Sequence, residues 1–390
     1  MKILAITSRV PWPLEKGDKL RAYHQLRQLS KSHEVILCAL NDVELHPNAL
    51  TELQKFCSEI HIFPLSKSTI ARNLIGGLIS VLPLQVAYFT NAGIRKQIHA
   101  IIERRRPDRI FCQLIRTAEY ARRETSIPRT LDYMDVFSKG IERRIEKVGL
   151  LRKFPFQLEW KRLLQYESDI FTDFNAHTII SQQDLMLLPV KQKEHVAVIP
   201  NGVDMEFFHP LERTKDYHLL FNGNMNYPPN VESAVYIVEK ILPHVWKSRP
   251  DVRLLISGAT PSERVRALRS DRVTVSGWVD DVRESFARSR ILVAPMQSSI
   301  GLQNKLLEAM AMEVPCITSK LSNNAIQAIA GEEIIVADQP EEYAAHIIDL
   351  LEHPEKAAEI AKRASQLVHD RFSWEQTCAQ LNDVIVQSHL

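Results

Sequence analysis

Two charged side chains near residue 300 have the type and spacing to bind a nucleotide. Lys305 and Glu308 lie three positions apart in the segment 298–311, which has helical periodicity after a predicted strand, so both fall on one helix face. A positive helix end with a lysine beside it suits a diphosphate, and a carboxylate one turn on can accept hydrogen bonds from ribose hydroxyls. An ordinary surface Lys–Glu pair has the same spacing, so spacing alone leaves both interpretations open.

Two aspartates follow a predicted strand in the first half of the chain. Asp132 and Asp135 stand at and just beyond the end of the β-like run 129–132, and strand ends are where open α/β sheets carry reactive side chains. We expect the catalytic base or an orienting carboxylate here, and we favour Asp135 because it lies farther into the loop. An aspartate before a helix is also a common N-cap, so a structural role stays open for both.

A glycine before the first predicted helix is a weaker phosphate-binding candidate. Gly17 follows the first strand and its loop, where the lack of a side chain lets backbone amides approach a phosphate at the positive helix end. Turn glycines without ligands are commoner than such sites. Three further polar residues are weaker candidates for binding an acceptor: Arg21, Arg116 and Glu119.

The sequence contains no pattern typical of a metal site. The five cysteines are scattered, without CxxC spacing or histidines at ligand intervals, and no DxD carboxylate group stands in a suitable loop. We therefore expect chemistry without a metal or other cofactor, in a protein of the reducing cytosol. Because no GxGxxG segment follows the first strand, a dinucleotide oxidoreductase is disfavoured.

These candidate residues lie on a pattern of alternating strands and helices. The β-like runs are residues 2–8, 35–39, 59–64, 109–112, 129–132 and 177–181, and then 218–223, 252–258, 273–277, 291–295 and 315–319. Helical periodicity between the runs predicts a doubly wound parallel sheet in each half. We expect an α/β protein of two Rossmann-like domains facing a cleft, with ligands at the carboxyl ends of the strands.

The chain length of 390 residues suits two such domains. A further predicted strand in residues 196–204 ends in a Pro-Asn-Gly turn, and we place the boundary between the domains near residue 205. The predicted units are an N-terminal domain of residues 1–204, a C-terminal domain of residues 205–372, and a last helix in 373–390 that packs back on the N-terminal domain.

The two halves of the chain differ in charge. Residues 1–200 carry 30 Lys and Arg against 21 Asp and Glu, a formal charge of +9, whereas the rest carries −7. Basic runs at 104–106 and 152–153 make the first half a candidate for binding an anionic membrane surface, although a single run is also typical of a solvated helix face. The apolar stretch 74–86 is too short to span a membrane, and either touches lipid or is a buried or domain-edge helix.

Several motifs together resemble one enzyme family. In the second half these are NKLLEAMAMEVPCITS (304–319), VIPNGVD (198–204), GWVDD (277–281) and FSW (372–374). Their types and order are similar to those of glycosyltransferase family 4 and its relatives of the GT-B fold. Residues 11–26, 131–135 and 221–230 resemble the branch of sugar transferases associated with bacterial exopolysaccharide systems.

The resemblance implies roles for particular residues at a nucleotide-sugar site. Glu308 would bind the ribose of the donor nucleotide, Gly17 would face the donor phosphates across the cleft, and the backbone around Val279 would hold the base. The donor-binding set that it implies is Gly17, Gly223, Asn224, Val279, Gly301, Leu302, Asn304, Lys305 and Glu308.

The sequence departs from the family pattern at two places. The family's usual pair of glutamates, eight positions apart, would place a partner of Glu308 at position 300, which is Ile300 here. In retaining members that glutamate contacts the donor sugar, so its loss leaves the sugar and the stereochemical course open. The usual Arg and Lys after the second domain's first strand are absent from residues 223–230, and we expect Lys305 to supply that charge.

The resemblance and the residues together predict a glycosyltransferase that moves a sugar from a nucleoside-diphosphate sugar to a glycan or lipid-linked acceptor. The expected reaction is metal-independent and retaining, serves bacterial exopolysaccharide or cell-surface glycan synthesis, and takes place in the cytoplasm or peripherally on the inner face of the cell membrane. Nucleic acid is not an expected partner. Two alternatives remain: a nucleotide-sugar epimerase, which turns over donor alone, and a non-catalytic scaffold, which binds donor without turnover.

Overall fold

The computed structural model describes residues 1–147, 149–297 and 302–389, and the chain divides into two compact units. Unit 1 consists of Met1–Pro200 and the C-terminal residues from Thr377, and unit 2 consists of Asn201–Gln376. Each unit is an α/β body with its own hydrophobic core.

In the described residues of unit 1, seven parallel strands form a sheet in the order β3-β2-β1-β4-β5-β6-β7. The strands are β1 Lys2–Thr7, β2 Glu34–Asn41, β3 Glu59–Pro64, β4 Arg109–Gln113, β5 Arg129–Asp132, β6 Ala176–Ile179 and β7 Val196–Val198. The helices are α1 Gly17–Leu29, α2 Ala49–Leu53, α3 Lys67–Leu78, α4 Leu84–Ala87, α5 Ala92–Arg105, α6 Phe137–Lys147, α7 Leu150–Asp169 and α8 Gln182–Leu187.

The central strand β1 explains why this sheet has helices on both faces. Residues Ile3, Leu4, Ala5 and Ile6 are all fully buried, and successive side chains of a strand point to opposite faces. Leu4 and Ile6 belong to one core cluster, whereas Ile3 and Ala5 belong to another. A continuous apolar run is therefore what a parallel strand covered on both faces requires.

Unit 2 repeats this architecture with six parallel strands in the order β10-β9-β8-β11-β12-β13, counted in its described residues. The strands are β8 Tyr217–Asn222, β9 Leu254–Ser257, β10 Val273–Gly277, β11 Ser289–Ala294, β12 Cys316–Thr318 and β13 Ile335–Val336. The helices are α9 Pro228–Tyr236, α10 Leu242–Ser248, α11 Glu263–Arg266, α12 Val282–Ala287, α13 Asn304–Ala311, α14 Lys320–Ile326, α15 Pro340–Glu352 and α16 Pro354–Phe372.

The two strand orders confirm the predicted fold class of doubly wound parallel sheets. Strand order reverses between β1 and β4 in unit 1 and between β8 and β11 in unit 2. In open α/β sheets, ligands bind outside the carboxyl ends of the strands at such a reversal. The loops that follow these four strands are therefore where each unit is expected to bind its ligand.

A last helix, α17 Trp374–Gln387, returns the chain from unit 2 to unit 1. Leu381 and Ile385 are fully buried in the core cluster that contains Ile3 of β1. The Nε of Arg109 on β4 donates a hydrogen bond to the carbonyl of Ile385 over 3.0 Å. The C-terminal residues are thus part of the core of unit 1.

The apolar stretch 74–86 covers the end of α3, a turn and the short α4. Four of its side chains are unusually exposed, with Ile79 90% and Val81 88% accessible to solvent and Ile75 and Leu78 more than half accessible, whereas Val86 is fully buried. Nowhere in the described ranges does a helix have the length and apolar character needed to cross a membrane.

Candidate active site

In unit 2, the loop that follows β8 lies very close to the backbone of the loop that follows β9. Gly223 has φ +147°, a left-handed conformation that favours glycine, and its N–H donates to the carbonyl of Ser257 over 3.0 Å. A Cβ on Gly258, at the end of β9, would lie 1.8 Å from the Gly223 carbonyl oxygen. Both glycines are therefore needed for the two loops to meet at the ends of the strands.

Lys305 projects from the first turn of α13 toward this loop. Its Nζ donates to Oδ1 of Asn230 over 2.7 Å and lies 4.5 Å from the centre of the Phe221 ring. A Cβ on Gly223 would lie 3.2 Å from the same Nζ. The lysine therefore brings its charge from the segment after β11 to the loop after β8, which is the reversal point of the sheet.

Asn230 holds the Lys305 ammonium in this position. The asparagine is buried, its Oδ1 accepts from the lysine, and its Nδ2 donates to the carbonyl of Asn224 over 3.0 Å. A primary amide can accept and donate at once, so it couples the loop backbone to the ammonium. Asn230 was not among the site residues predicted from the sequence.

Glu308 lies one turn beyond Lys305 on α13 and is half-buried. Burial lowers the pKa of Lys305 to about 7, an effect that the Glu308 charge partly opposes. Burial likewise raises the pKa of Glu308 to about 7, against the Lys305 charge. Burial therefore destabilises the charged forms of both side chains when no ligand is bound. Ionisable groups with strongly shifted pKa values are typical of functional sites.

The other donor-binding candidates of unit 2 have varied surroundings. Asn304 begins α13 and its Oδ1 accepts from Nδ2 of Asn201 over 3.3 Å, whereas Asn224 is exposed in the loop after β8. Val279 is half-buried in the turn between β10 and α12, and Leu302 is buried in the core. The predicted residue Gly301 and the departure at Ile300 lie outside the described residues.

In unit 1, Asp135 lies between β5 and α6 and is exposed to solvent. Its backbone N–H donates to the carbonyl of Tyr133 over 2.7 Å, which fixes the turn. Desolvation of the carboxyl group by neighbouring protein atoms, and then the charge of Asp184, raise the pKa of Asp135 to about 6. A carboxyl that ionises near neutral pH and reaches solvent has the properties of a general base.

Asp132 occupies a different environment at the end of β5, where its side chain is fully buried. It accepts from Nε and Nη2 of Arg21 over 2.6 and 3.2 Å, from Thr178 Oγ1 over 2.9 Å and from Gln25 Nε2 over 3.2 Å. Arg21 is fully buried as well. This ion pair joins α1 to β5, and neither partner reaches solvent to meet a substrate.

The remaining unit 1 candidates divide into a buried and an accessible group. Glu119 is buried and accepts from Tyr166 Oη over 3.0 Å and from Arg122 over 2.7 Å, which indicates a structural role. Arg116 is half-buried and lines a cavity. Gly17 begins α1 and is exposed, and a Cβ there would lie 3.5 Å from Met134, so its backbone does not require glycine.

One further cation near the reversal point of unit 1 was missed by the sequence analysis. Arg9 follows β1, forms an ion pair with Asp18 and lines two cavities with other residues of the strand-end loops. Its position two residues beyond the first strand was the available signal, because strand-end loops carry the ligand-binding residues of this architecture.

Comparison with known protein families shows one match to a family model. Residues 216–353, which contain Gly223, Lys305 and Glu308, match the model described as glycosyl transferases group 1. A 44.6 kDa protein in the cps region of Klebsiella pneumoniae is 21% identical, over 95% of this chain and 96% of that protein. The phosphatidyl-myo-inositol mannosyltransferase of Mycolicibacterium smegmatis is 27% identical over 47% of this chain and 50% of its own length.

A structural comparison supports the same architecture. The crystal structure of HepE from Anabaena in complex with UDP aligns with a TM-score of 0.70, covering 99% of this chain and 100% of HepE. The two chains are 15% identical, so this likeness shows the fold.

Proposed function

We propose that the chain is a glycosyltransferase of the GT-B fold, which moves a sugar from a nucleoside-diphosphate sugar onto a glycan or lipid-linked acceptor in bacterial polysaccharide synthesis. The observation that carries the proposal is the placement of the Lys305 ammonium beside the Gly223 backbone, at the reversal point of the unit 2 sheet. Anionic groups bind at such a point because backbone N–H groups, a helix N-terminus and a cation converge there.

In the proposed reaction, the donor diphosphate lies against Gly223, Asn224 and the start of α13. Lys305 and the helix dipole stabilise the negative charge that develops on the departing diphosphate, which is the largest electrostatic demand of glycosyl transfer. Glu308 accepts hydrogen bonds from the ribose hydroxyls, and the turn at Val279 holds the base. The binding of UDP by HepE supports a nucleoside diphosphate as the ligand.

The proposal further assigns a metal-independent and retaining course to the transfer. Lys305 supplies the positive charge that a divalent ion would otherwise bring to the diphosphate. The acceptor hydroxyl attacks the anomeric carbon on the face from which the diphosphate departs, so a new C–O bond forms as the bond to the diphosphate breaks and the configuration is kept. Asp135 accepts the proton of that hydroxyl. Transfer that is unchanged by EDTA and gives a product with the anomeric configuration of the donor would support these two assignments; loss of activity in EDTA would contradict the first.

The proposal includes contact with an anionic membrane surface. It is supported by an exposed apolar surface formed by Ile75, Leu78, Ile79 and Val81 of unit 1, and by the formal charge of +9 on residues 1–200. Apolar side chains that lie in the headgroup region and basic residues that attract anionic lipid together give peripheral binding.

Replacement of Lys305 by methionine is expected to weaken nucleoside-diphosphate binding about 10- to 150-fold while leaving nucleoside binding nearly unchanged, since charged hydrogen bonds contribute about 1.5–3 kcal/mol. The diphosphate requires the ammonium form of Lys305. In the parent chain, therefore, the affinity for the nucleoside diphosphate, divided by the affinity for the nucleoside, should fall as the pH rises above about 7. Above that pH, Lys305 of the unliganded protein loses its proton. Isothermal titration at several pH values measures this ratio.

Two further variants test whether the effect is specific to Lys305 and to the diphosphate. Glu308→Ala should weaken the nucleoside and its diphosphate alike, because both carry the ribose. Lys320→Met removes an exposed lysine from the start of another unit 2 helix and should change neither affinity. Equal losses of both ligands in Lys305→Met would contradict the assignment of that lysine to the diphosphate.

Sedimentation with lipid vesicles tests the membrane part of the proposal. Binding to vesicles with anionic lipid should fall as salt rises, because the charges are screened over a Debye length of about 8 Å at physiological ionic strength. Replacing Ile79 and Val81 by serine should remove the salt-resistant remainder, whereas the same change at the exposed Met186 of α8 should not. If vesicle binding changed neither with the content of anionic lipid nor with the salt concentration, the proposed electrostatic attraction to the membrane would be refuted.

Turnover experiments separate the proposal from its two alternatives. An epimerase would convert the nucleotide sugar without any acceptor, whereas a scaffold would bind the donor and turn over nothing. A glycosyltransferase releases nucleoside diphosphate in step with glycosylated acceptor, which mass spectrometry detects.

A further inference from the structure

Glu167 of α7 caps the helix that follows Asp135. Its side chain is fully buried, and its Oε1 accepts from the backbone N–H of Phe137 over 2.7 Å and from that of Ser138 over 3.2 Å. These are the first two N–H groups of α6, which have no acceptor within their own helix. A helix is normally capped by the residue directly before it, whereas this cap comes from a residue 30 positions away.

The residues directly before α6 leave these N–H groups to Glu167. Val136 precedes the helix and has no side-chain acceptor. Asp135 is the next local candidate for an N-cap, but its carboxylate accepts no hydrogen bond from the residues that the structure describes. Because Glu167 occupies the first N–H groups of α6, the carboxylate of Asp135 stays exposed and can meet a substrate.

Glu167 also contacts the other end of the loop 133–136 that carries Asp135, which we call the Asp135 loop. Tyr133 is fully buried, and its Oη donates to the backbone carbonyl of Glu167 over 3.0 Å. Met134 has φ +59°, a left-handed conformation that side chains other than glycine adopt only where their surroundings hold them. One residue of α7 therefore holds both ends of a loop whose backbone is not relaxed.

The Glu167 carboxylate is buried without an opposite charge. In the described part of the chain no cation forms an ion pair with it, and burial raises its pKa to about 7 against the hydrogen bonds from Ser138 and Phe137. An apolar side chain of similar volume would avoid the desolvation of a carboxyl group. A residue that costs stability in this way is expected to meet a requirement other than stability.

We propose that Glu167 is the positioning residue of the Asp135 loop, which caps α6 from α7 and thereby fixes Asp135 where its carboxylate can take the proton of the acceptor hydroxyl. The inference rests on the proposed glycosyltransferase function and on Asp135 as its base. A misplacement of about 1 Å in an active site can lower the rate about 10²-fold. Loss of the cap should therefore lower the rate of transfer without changing donor binding.

The decisive variant is Glu167→Leu, which has a similar volume and no acceptor for the N–H groups of α6. The assay measures nucleoside-diphosphate release from UDP-, GDP- and dTDP-hexoses in the presence of a bacterial extract of lipids and glycans. With the donor that the parent chain uses best, kcat should fall about 10²-fold while the donor KM stays unchanged.

Two conservative variants accompany it. Glu167→Gln keeps a side-chain oxygen that can accept from Phe137, so it should retain most of the rate. Glu167→Asp keeps the buried carboxylate but withdraws it from α6 by one methylene. It should give a loss of kcat between those of the other two variants, which tests the inference even if Glu167→Leu does not fold.

Glu159, about two turns earlier on α7, provides a matched control. It is buried as well, and its carboxylate caps α4 by accepting from the N–H groups of Leu84 over 2.8 Å and of Gln85 over 3.1 Å. Glu159→Leu should lower the melting temperature about as much as Glu167→Leu does, but leave kcat near that of the parent chain. Equal losses of kcat in the two variants would overturn the inference, because lost stability would then explain both.

A double variant tests whether Glu167 acts through Asp135. If it does, Glu167→Leu should cause no further loss of kcat in the Asp135→Asn chain, whereas independent losses would multiply. Multiplied losses, or an unchanged kcat in Glu167→Leu, would overturn this inference alone. Full activity of Asp135→Asn would overturn both the base and its positioning residue, and a parent chain that releases no nucleoside diphosphate from any of these donors would overturn the proposed function.

Discussion

Transfer by the Asp135→Asn variant is expected to fall about 10²- to 10⁴-fold, the usual loss when a general base is removed. Asparagine keeps the size of the side chain but cannot accept the proton of the acceptor hydroxyl. Because Asp135 is exposed, donor affinity and melting temperature should stay near those of the parent chain. Initial rates at saturating donor measure the effect.

The pH profile gives a second readout of the same group. The base must be ionised, and the pKa of Asp135 is raised to about 6, so the rate of the parent enzyme should rise about tenfold per pH unit below 6 and level off above it. Asp135→Asn should lose this rise. If Asp135→Asn stays fully active, the donor's own phosphate takes the proton, and Asp135 is not the base.

A second large effect is expected from Asp132→Asn, this time on folding. The substitution removes the carboxylate charge that pairs with the fully buried guanidinium of Arg21, and loss of one member of a buried pair costs about 3–5 kcal/mol. The free energy of unfolding should fall by that amount in urea titrations.

Matched variants separate this structural effect from general sensitivity. Asp169→Asn, at an exposed position at the end of α7, should change the unfolding free energy by no more than about 0.5 kcal/mol. The double replacement Arg21→Met with Asp132→Leu should recover much of the loss, because both charges are then removed. An Asp132→Asn protein as stable as the parent chain would show that the pair adds little to stability.

Most strands were predictable because each is a short apolar run between helical segments. The predicted runs 59–64, 129–132 and 273–277 match β3, β5 and β10 within their bounds. The strand β13 was missed, since Ile335–Val336 is only two residues long and carries no period that sequence alone could reveal. The two parallel sheets confirm the predicted fold class, whereas the order of their strands came only from the structure.

The site was less predictable where it depends on partners far apart in sequence. The proximity of Lys305 to Glu308 could be predicted because it depends only on their spacing along one helix. The contact of Lys305 with Asn230 spans 75 positions, and that of Arg21 with Asp132 spans 111. A polar residue type in the sequence does not reveal whether the side chain binds a substrate or another side chain of the protein. Only the tertiary structure therefore distinguishes the buried, ion-paired Asp132 from the exposed Asp135.

The return of α17 to unit 1 has a consequence for folding during synthesis. Leu381 and Ile385 complete a core that also contains Ile3 of the first strand, yet they are synthesised only after residues 201–376 of unit 2. At about 5–20 residues per second, synthesis of residues 201–376 takes roughly 10–35 s. During that interval the nascent first unit exposes the apolar surface that α17 later covers, while the second unit, continuous in sequence, can already be complete. The unit translated first is therefore the last to finish folding.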